Sequence, residues 1–365
     1  MDFDLNTEQS LLKESVARLF AADKDAAHRR SKQETADGAT GLWAKFAENG
    51  LIAIGFDEAL GGMGPAPFEA MVIGQEIGRA YCASPFLESV VMPGEAFRLT
   101  DNASLAQQIA PAVMQGDARL ACIFEGLTAE RDGDGWRVRG EAVCAPHGDE
   151  ATGFIAAAQT GGGWLVFYMP GDAPQATRRA YKTFDISPAA RVSIDNLPVR
   201  KDDVLAAGSD GAAMVEAMQC AGVAFLAAEA VGLMEMMFET TIEHLRTRVQ
   251  FGQKLANFQA LQHRVAEMAV ALEQARSAAI YAAANLDTQD SLESAKGAAA
   301  AKAAVAISAR LIGQTAVQLH GGIGLTEEHV VGRGMRRLTM IELTFGDADD
   351  SASRLAALGG FTAPA

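Results

Sequence analysis

A stretch with two arginines, RTRVQFGQKLANFQALQH at residues 246–263, closes a long helical pattern. Arg248 stands three residues before Phe251 and Gly252, and Gln259 follows where the next helical pattern begins. The helix dipole favours a cation in the last turn of a helix, and glycine commonly ends a helix, so structure alone could explain this arrangement. The same guanidinium could instead hold a phosphate or diphosphate through charge-assisted hydrogen bonds.

A second stretch, QLHGGIGLTEEH at residues 318–329, is rich in glycine. Its glycines permit a ligand to approach the backbone closely, and Thr326 is predicted to cap the helix that follows. One Gly-rich turn is weak evidence for a ligand site. Together with the helix-end arginine and Gln259 in one helical region, it indicates a clamp for a diphosphate.

Three regions with different patterns supply the elements that position these residues. Residues 1–117 show helical periods, and the first helix is predicted to begin after a cap at Asn6 or Thr7. Residues 118–207 hold short apolar or alternating runs separated by Gly and Asp, which predicts a small, mostly antiparallel β-domain. The helical period returns in residues 208–365. The fold class is therefore predicted as α+β, with helical regions on both sides of a β-domain.

The C-terminal region is predicted as an antiparallel four-helix bundle. Its first helix could run for some 35 residues, and further helices are predicted at about 290–319 and 338–358. Apolar residues at spacings of three and four form the predicted seams: Val231, Met234, Phe238, Ile242 and Leu245, then Phe258, Leu261, Val265, Met268 and Leu272.

The net charge of −15 excludes a general nucleic-acid or anionic-membrane surface, although local arginines still act on an anion within a Debye length of ~8 Å. The Ala-rich run at 295–313 contains three cations and is predicted not to span a bilayer. No secretory signal pattern is present at the N-terminus, and a cytoplasmic location without membrane insertion is expected. The cysteines have no CxxC spacing and are predicted to be buried reduced thiols: Cys82, Cys122, Cys144 and Cys220.

The order of regions resembles the acyl-CoA dehydrogenase family over nearly the whole chain. RxxFGxxxxxFQxxxH, from Arg248 to His263, and QLHGGIG followed by RRLTMIELTFGDA look like the two C-terminal motifs of that family. The match is specific in residues 228–346 and looser before them. Within the family, the chain looks closest to the small subunits of bacterial heteromeric enzymes, such as pimeloyl-CoA dehydrogenase small subunits.

The resemblance implies FAD as cofactor, an acyl-CoA as substrate and an electron-transfer flavoprotein as electron acceptor. In the family the flavin lies at a subunit interface: one subunit holds the isoalloxazine, and its neighbour contacts the adenine and diphosphate end. The residues that the resemblance assigns to the neighbour's contacts are all present: Arg248, Phe251, Gln259, Gln318, Leu319, His320, Gly321 and Gly322.

The contacts of a subunit with its own flavin ring depart from the family pattern. Where the family has an aromatic residue and a threonine in the first β-domain motif, this chain has Ala121 and Phe124. Cys144 takes the place of the tryptophan beside the flavin. Pro146, which has neither a hydroxyl nor an N–H donor, takes the place of a threonine.

The catalytic base of the family is also missing. Its usual glutamate aligns with Phe345, and the alternative base aligns with Gly222; neither residue can accept a proton. Asp347 places an anion where a flavin contact is expected. Glu229 and Glu342 are the nearest carboxylates in sequence, but a carboxylate on a bundle helix is usually solvated or paired. No catalytic residue and no metal ligand is therefore predicted.

Three functions remain open at this stage. The chain could be the half-site or non-catalytic subunit of a heteromer, with α2β2 as the expected stoichiometry, that donates contacts to FAD held by a larger catalytic partner. It could be a self-sufficient dimeric or tetrameric flavoenzyme with a displaced base. It could also be a flavin-free scaffold. The first function explains retained neighbour contacts beside lost contacts to a flavin of its own.

Overall fold

The computed structural model describes residues 5–22, 37–288 and 290–361. The first helix, α1 (Thr7–Ala22), is capped by Asn6, whose Oδ1 accepts from the backbone N–H of Gln9 at 2.8 Å. This confirms Asn6 as the predicted cap. The other α-helices in the described part of the N-terminal region are α2 (Asp37–Glu48), α3 (Pro67–Arg79), α4 (Met92–Leu99) and α5 (Ala103–Met114).

The chain divides into two compact units that are discontinuous in sequence. The first unit consists of the described residues of Met1–Gly38 together with Pro67–Ala83 and Val223–Ala365. The second unit consists of Ala39–Ala66 and Ser84–Gly222. The three-domain boundaries at 117/118 and 207/208 stay predictions.

The second unit contains the predicted β-domain as one sheet. Its strands are β1 (Leu120–Ile123), β2 (Leu127–Asp132), β3 (Gly135–Pro146), β4 (Gly153–Thr160), β5 (Gly163–Pro170), β6 (Ala176–Lys182), β7 (Pro188–Val199) and β8 (Val204–Gly208). The strand order is β6-β7-β3-β2-β4-β5-β8, with β1 beside β4. Pairing is antiparallel except that β4 runs parallel to β1 and β2, so the mostly antiparallel sheet is confirmed. Buried apolar side chains from β4, β5 and β7 form much of its core.

The C-terminal helices follow the sheet. They are α6 (Ser209–Thr247), α7 (Gln259–Asp287), α8 (Ser291–His320), α9 (Val330–Leu343) and α10 (Ala348–Ala357), and a short hairpin of β9 (Val249–Gln250) and β10 (Gln253–Lys254) joins α6 to α7. In α6, Val231, Met234 and Leu245 are buried as the seam predicts. By length and composition α6 could cross a membrane, but 89% of its most apolar window is buried inside the protein.

Helices α3 and α6 cross with their backbones almost in contact inside the first unit. A Cβ on Gly78 would lie 1.9 Å from the carbonyl oxygen of Glu229, and a Cβ on Gly232 would lie 1.8 Å from that of Gln75. Gly74 and Gly78 stand four residues apart and so share one face of α3. Any larger residue at these crossing points would push the two helices apart.

The single helix predicted at 338–358 is wrong, because the chain breaks between α9 and α10. Phe345 has a φ of 62°, which is outside the helical range, and Asp347 starts a new helix by accepting from the N–H groups of Asp349 and Asp350 at 2.9 Å each. The Asp350 carboxylate in turn accepts from the backbone N–H of Asp347 at 3.2 Å, which completes a capping box. The spacing of apolar residues continues through this break, but the capping of α10 by Asp347 ends the helical conformation there.

Candidate functional site

The first predicted motif forms the end of α6 and the hairpin after it. Arg248 is exposed directly beyond α6, and its guanidinium makes no ion pair or hydrogen bond within residues 5–22, 37–288 and 290–361. The hairpin turns at Phe251 (φ 55°) and Gly252 (φ 82°), and the Phe251 side chain is 87% exposed. Gln259 begins α7 with an exposed side chain. An unpaired guanidinium in a chain of net charge −15 is well suited to receive an anion.

The second predicted motif forms the end of α8 and a 3₁₀ turn, Gly321–Leu325. Gly321 has φ 66° and ψ −147°, a conformation that side chains other than glycine rarely adopt. No atom outside its immediate neighbours lies within 4 Å of a Cβ built on Gly321 or Gly322, so this backbone faces open space. Gln318 is exposed, whereas Leu319 and His320 are buried and can offer a ligand only their backbone.

Contact between two histidines brings the ends of α6 and α8 together. The rings of His244, in the last turn of α6, and His320, the last residue of α8, stack with centroids 4.4 Å apart. Arg248 lies one turn beyond His244 in sequence, and Arg248 N–H donates to the His244 carbonyl at 2.9 Å. The helix ends that carry the two motifs therefore lie next to each other, although residues 248 and 321 are far apart in sequence.

The cap of α9 differs from the sequence prediction. His329, not Thr326, caps this helix: its Nδ1 accepts from the N–H of Val331 at 3.3 Å. The Thr326 hydroxyl instead donates to the carbonyl of Ile323 at 3.0 Å. Thr326 therefore belongs to the end of the 3₁₀ turn, and α9 begins only after His329.

His329 is also the third ring of the site, with its centroid 4.8 Å from that of His320. Burial lowers the pKa of His244, His320 and His329, and neighbouring positive charge lowers those of His244 and His329 further. Sequence reasoning considered His320 alone and missed the other two, because nothing in the spacing of residues 244 and 329 indicates that they meet.

The residues at the family's own-flavin positions lie in different settings within the second unit. Ala121 is buried in β1, and Phe124 follows that strand. Cys144 and Pro146 lie near the end of β3, where the register against β7 shifts between Ala142 and Ala145. Among these four, no side chain is a hydrogen-bond donor of the hydroxyl or indole type that the family uses there.

The prediction that all four cysteines are buried is wrong for Cys144, which is exposed, whereas Cys82, Cys122 and Cys220 are buried. The register shift in β3 turns Cys144 outward beside exposed Val143. The Tyr181 hydroxyl donates to the Val143 carbonyl at 2.9 Å across this irregular stretch.

The two positions that the resemblance aligns with the family's base lie in different elements. Phe345 lies in the loop between α9 and α10, and Gly222 lies inside the continuous helix α6. The carboxylate of Asp347 caps α10. Within the described residues, no group of His, Cys, Asp and Glu is arranged to hold a metal ion.

Both carboxylates considered as substitute bases are engaged by arginine. Glu229 is buried and accepts from Arg337 Nε at 2.7 Å and Nη2 at 2.8 Å. Glu342 is buried and paired with Arg310. Both carboxylates are therefore engaged in ion pairs between helices, which is the structural role expected of a buried carboxylate on a bundle helix.

The two predicted motifs both lie in the first unit, and their chemistry suits the nucleotide end of FAD. The exposed guanidinium of Arg248 and the open backbone at Gly321 and Gly322 fit the nucleotide end, which carries a diphosphate. Cys144 and Pro146 give no partner for the polar edge of an isoalloxazine ring.

Comparisons with known proteins agree with this fold. Residues 6–116 match the family model described as acyl-CoA dehydrogenase, N-terminal domain, and residues 214–356 match acyl-CoA dehydrogenase, C-terminal domain. Acyl-CoA dehydrogenase IpdE2 of Mycobacterium tuberculosis is 30% identical over 328 residues, 88% of each chain. Acyl-CoA dehydrogenase FadE27 of the same organism is 27% identical over 329 residues, 86% of each chain.

Solved structures share the fold over nearly the full length. A chain in the ChsE4-ChsE5 complex from Mycobacterium tuberculosis superposes with a TM-score of 0.90 at 24% identity, covering 100% of both chains. A glutaryl-coenzyme A dehydrogenase in complex with glutaryl-CoA superposes with a TM-score of 0.84 at 23% identity, covering 98% of this chain and 97% of that one.

Proposed function

The chain belongs to the acyl-CoA dehydrogenase family, and from this premise we propose that it is the half-site subunit of a heteromeric enzyme. In that role it presents Arg248, Gln259 and the turn around Gly321 to the nucleotide end of FAD, while a larger catalytic partner holds the reacting ring. Phe251, Gln318, Gly322 and the backbone of Leu319 and His320 complete this contact. An α2β2 assembly is the simplest stoichiometry.

One observation carries the proposal: Arg248 and the backbone of Gly321 and Gly322 are open to a ligand, while the positions that the resemblance aligns with the family's ring contacts and base hold other residue types. Arg248 has no internal partner in the described residues, and Gly321 faces open space. Phe345 and Gly222 occupy the base positions, and Glu229 is held by Arg337. A single cause, a flavin held mainly by another subunit, accounts for both halves of this pattern.

The chemistry assigned to the complex is the α,β-desaturation of an acyl-CoA thioester. FAD supplies the hydride acceptor for this reaction in the family, and an electron-transfer flavoprotein is the proposed acceptor of its electrons. The proton acceptor for the substrate α-carbon belongs to the partner in this proposal, because a general base must lie within hydrogen-bond reach of that proton. This chain's own part is to bind and orient the cofactor.

Two further points belong to the proposal. A solved relative of the same fold is described as a complex of two different chains, which supports a heteromer. We also propose that the chain has three domains, residues 1–117, 118–207 and 208–365, and that it is located in the cytoplasm.

The flavin content of the purified protein tests this function. The chain is produced alone and, separately, purified through a tag from its native host with whatever subunit assembles with it; visible spectra give FAD per chain. We expect no flavin in the chain alone and about one FAD per pair of different chains in the complex.

Stoichiometric FAD and acyl-CoA turnover in the chain alone would instead show a self-sufficient homo-oligomer. A complex with a larger family member that contains no flavin would show a scaffold. Either result would refute the half-site role.

A further inference from the structure

Three histidines from three separate elements form one stack at the junction next to Arg248. His320 is the middle ring: it stacks on His244 with centroids 4.4 Å apart and an interplanar angle of 29°, and the ring of His329 lies tilted against it at 4.8 Å and 53°. His244 comes from α6, His320 ends α8 and begins the 3₁₀ turn, and His329 caps α9. The stack therefore joins the segment before Arg248 to the turn that contains Gly321.

The middle ring is built for the neutral state. His320 Nδ1 lies 2.8 Å from the Ala316 carbonyl oxygen, which can only accept, so Nδ1 carries the proton and donates. Nε2 is then the unprotonated nitrogen, and it is buried without a hydrogen-bond partner in the described residues. A second proton on His320, which is 6% exposed, would place an unpaired cation in the interior.

The charged groups around the stack do not offset such a cation. Arg248 lowers the pKa of His244, and Arg333 on α9 lowers that of His329, although burial has the larger effect on both. Within the described residues, no carboxylate contributes to the pKa of any of the three rings.

The nearby acidic side chains point to other partners or to solvent. The carboxylate of Glu327 pairs with Arg336 at 3.0 Å, and Glu243 and Glu328 are exposed. The 3₁₀ turn packed against His320 contains no titratable side chain. Burial therefore opposes protonation of all three rings, and positive charge opposes it further at His244, beside Arg248, and at His329, beside Arg333.

Acid should open this junction. The pKa of each ring in the closed junction lies below 6.5, so as the pH falls through 6.5 an open, solvated junction binds protons that the closed one excludes. The closed form then loses stability as the pH falls. The ratio of closed to open junctions falls by up to about tenfold per pH unit for each proton taken up.

We propose that His244, His320 and His329 are positioning residues, whose stacked neutral rings hold Arg248 and the Gly321–Leu325 turn together and whose protonation separates them. If the proposed function holds, on which this consequence rests, the complex should lose its flavin in acid. The stack itself is a property of this chain alone and can be tested without flavin.

Hydrogen exchange in the isolated chain tests the stack directly. Exchange of segments 240–248 and 316–330, corrected for the intrinsic effect of pH, is measured at pH 7.5, 6.5 and 5.5. We expect protection in both segments to fall below pH 6.5. In the double variant His244→Phe, His329→Asn, the phenylalanine keeps an aromatic ring and the asparagine keeps a helix cap, and His320 is the one titratable ring left in the stack. Protection from exchange in this variant should therefore fall by at most about tenfold per pH unit.

His263→Gln is the matched control, because His263 is exposed and lies outside the stack. This control should follow the wild type. Constant protection in the wild type, or the same acid loss in the double variant, would overturn the proposal. Should the double variant fail to fold, an NMR titration of the wild-type histidines decides: at least two of the three rings with a pKa at or above 6.5 would also overturn it.

Flavin release from the complex, measured against pH, tests the proposed function separately from the stack. In the complex, we expect FAD to leave at a higher pH from the wild type than from the double variant. Acid opening of the two segments with identical flavin release in both proteins would overturn the clamp assignment and leave the stack intact. Acid release of flavin without opening would overturn the stack and leave the clamp intact.

Discussion

Replacing Arg248 with alanine should weaken FAD binding by the complex without unfolding this chain. The guanidinium is exposed and has no partner within the described residues, so its removal leaves no buried carboxylate unpaired. A surface change of this kind alters the free energy of unfolding by no more than about 0.5 kcal/mol. The effect on stability and the effect on cofactor binding are therefore separable at this residue.

The loss of affinity follows from the contact that is removed. A hydrogen bond to a charged group contributes about 1.5–3 kcal/mol, and a tenfold change in Kd corresponds to about 1.4 kcal/mol. The dissociation constant of FAD should then rise about 10- to 150-fold. Arg248→Lys keeps the charge but loses the planar fork, so its effect should be smaller.

Arg246 provides the matched control, because it is also an exposed arginine at the end of α6 and stands only two positions away. Arg246→Ala removes the same charge from nearly the same place, so a general electrostatic effect would appear in both variants. FAD affinity is measured by equilibrium dialysis of the purified complex at two salt concentrations, with thermal unfolding recorded in parallel. Only Arg248→Ala should lose the specific contact.

Three results would refute the reasoning. An unchanged Kd would show that Arg248 does not contact the cofactor. An equal loss of FAD affinity in Arg246→Ala would show that Arg248 acts through general electrostatic attraction and not through a specific contact. A large drop in thermal stability for Arg248→Ala would show that this side chain has a structural partner.

Three other predictions concern the residues outside the clamp. Cys144→Ala should leave flavin content and turnover of the complex nearly unchanged, and a large fall in kcat with stability preserved would mean that the ring-end assignment is wrong. Burial lowers the pKa of Lys302, which donates to the Ile341 carbonyl, from 10.5 to about 8. Between about pH 8 and 10.5 the unfolded chain then binds more protons than the folded one, so the free energy of unfolding should rise with pH in this range, by at most about 3 kcal/mol. Denaturant titrations should find this rise in the wild type and not in Lys302→Met. Glu229→Ala leaves Arg337 without its buried partner and should cost about 3–5 kcal/mol of stability; loss of turnover in a variant that unfolds like the wild type would instead indicate a catalytic carboxylate.

Much of the fold could be predicted because the apolar periods are long. The helix ending at Thr247 and the alternating runs of the β-domain both follow from spacing, and Asn6 was recognisable as a cap from its type and position. The break before α10 could not be predicted. It depends on Phe345 adopting a positive φ and on Asp347 closing a capping box, whereas the apolar period runs on.

The candidate site was predictable only in part, for a similar reason. Arg248 and Gly321 stand in motifs that a sequence displays directly. The stack of His244, His320 and His329 depends on three chain segments meeting, and each histidine taken alone has an ordinary structural explanation. Exposure of Cys144 depends on a register shift between strands, which no local pattern encodes.

The glycine crossing of α3 and α6 has a consequence for how the chain is made. Segment Pro67–Ala83 leaves the ribosome before any of Val223–Ala365, yet both belong to one compact unit. Until α6 emerges, the glycine face of α3 has no backbone to pack against, while Ser84–Gly222 is synthesised in between. The first unit must therefore finish folding after the second has been synthesised, and a nascent chain halted near residue 222 should expose α3 to proteases and chaperones.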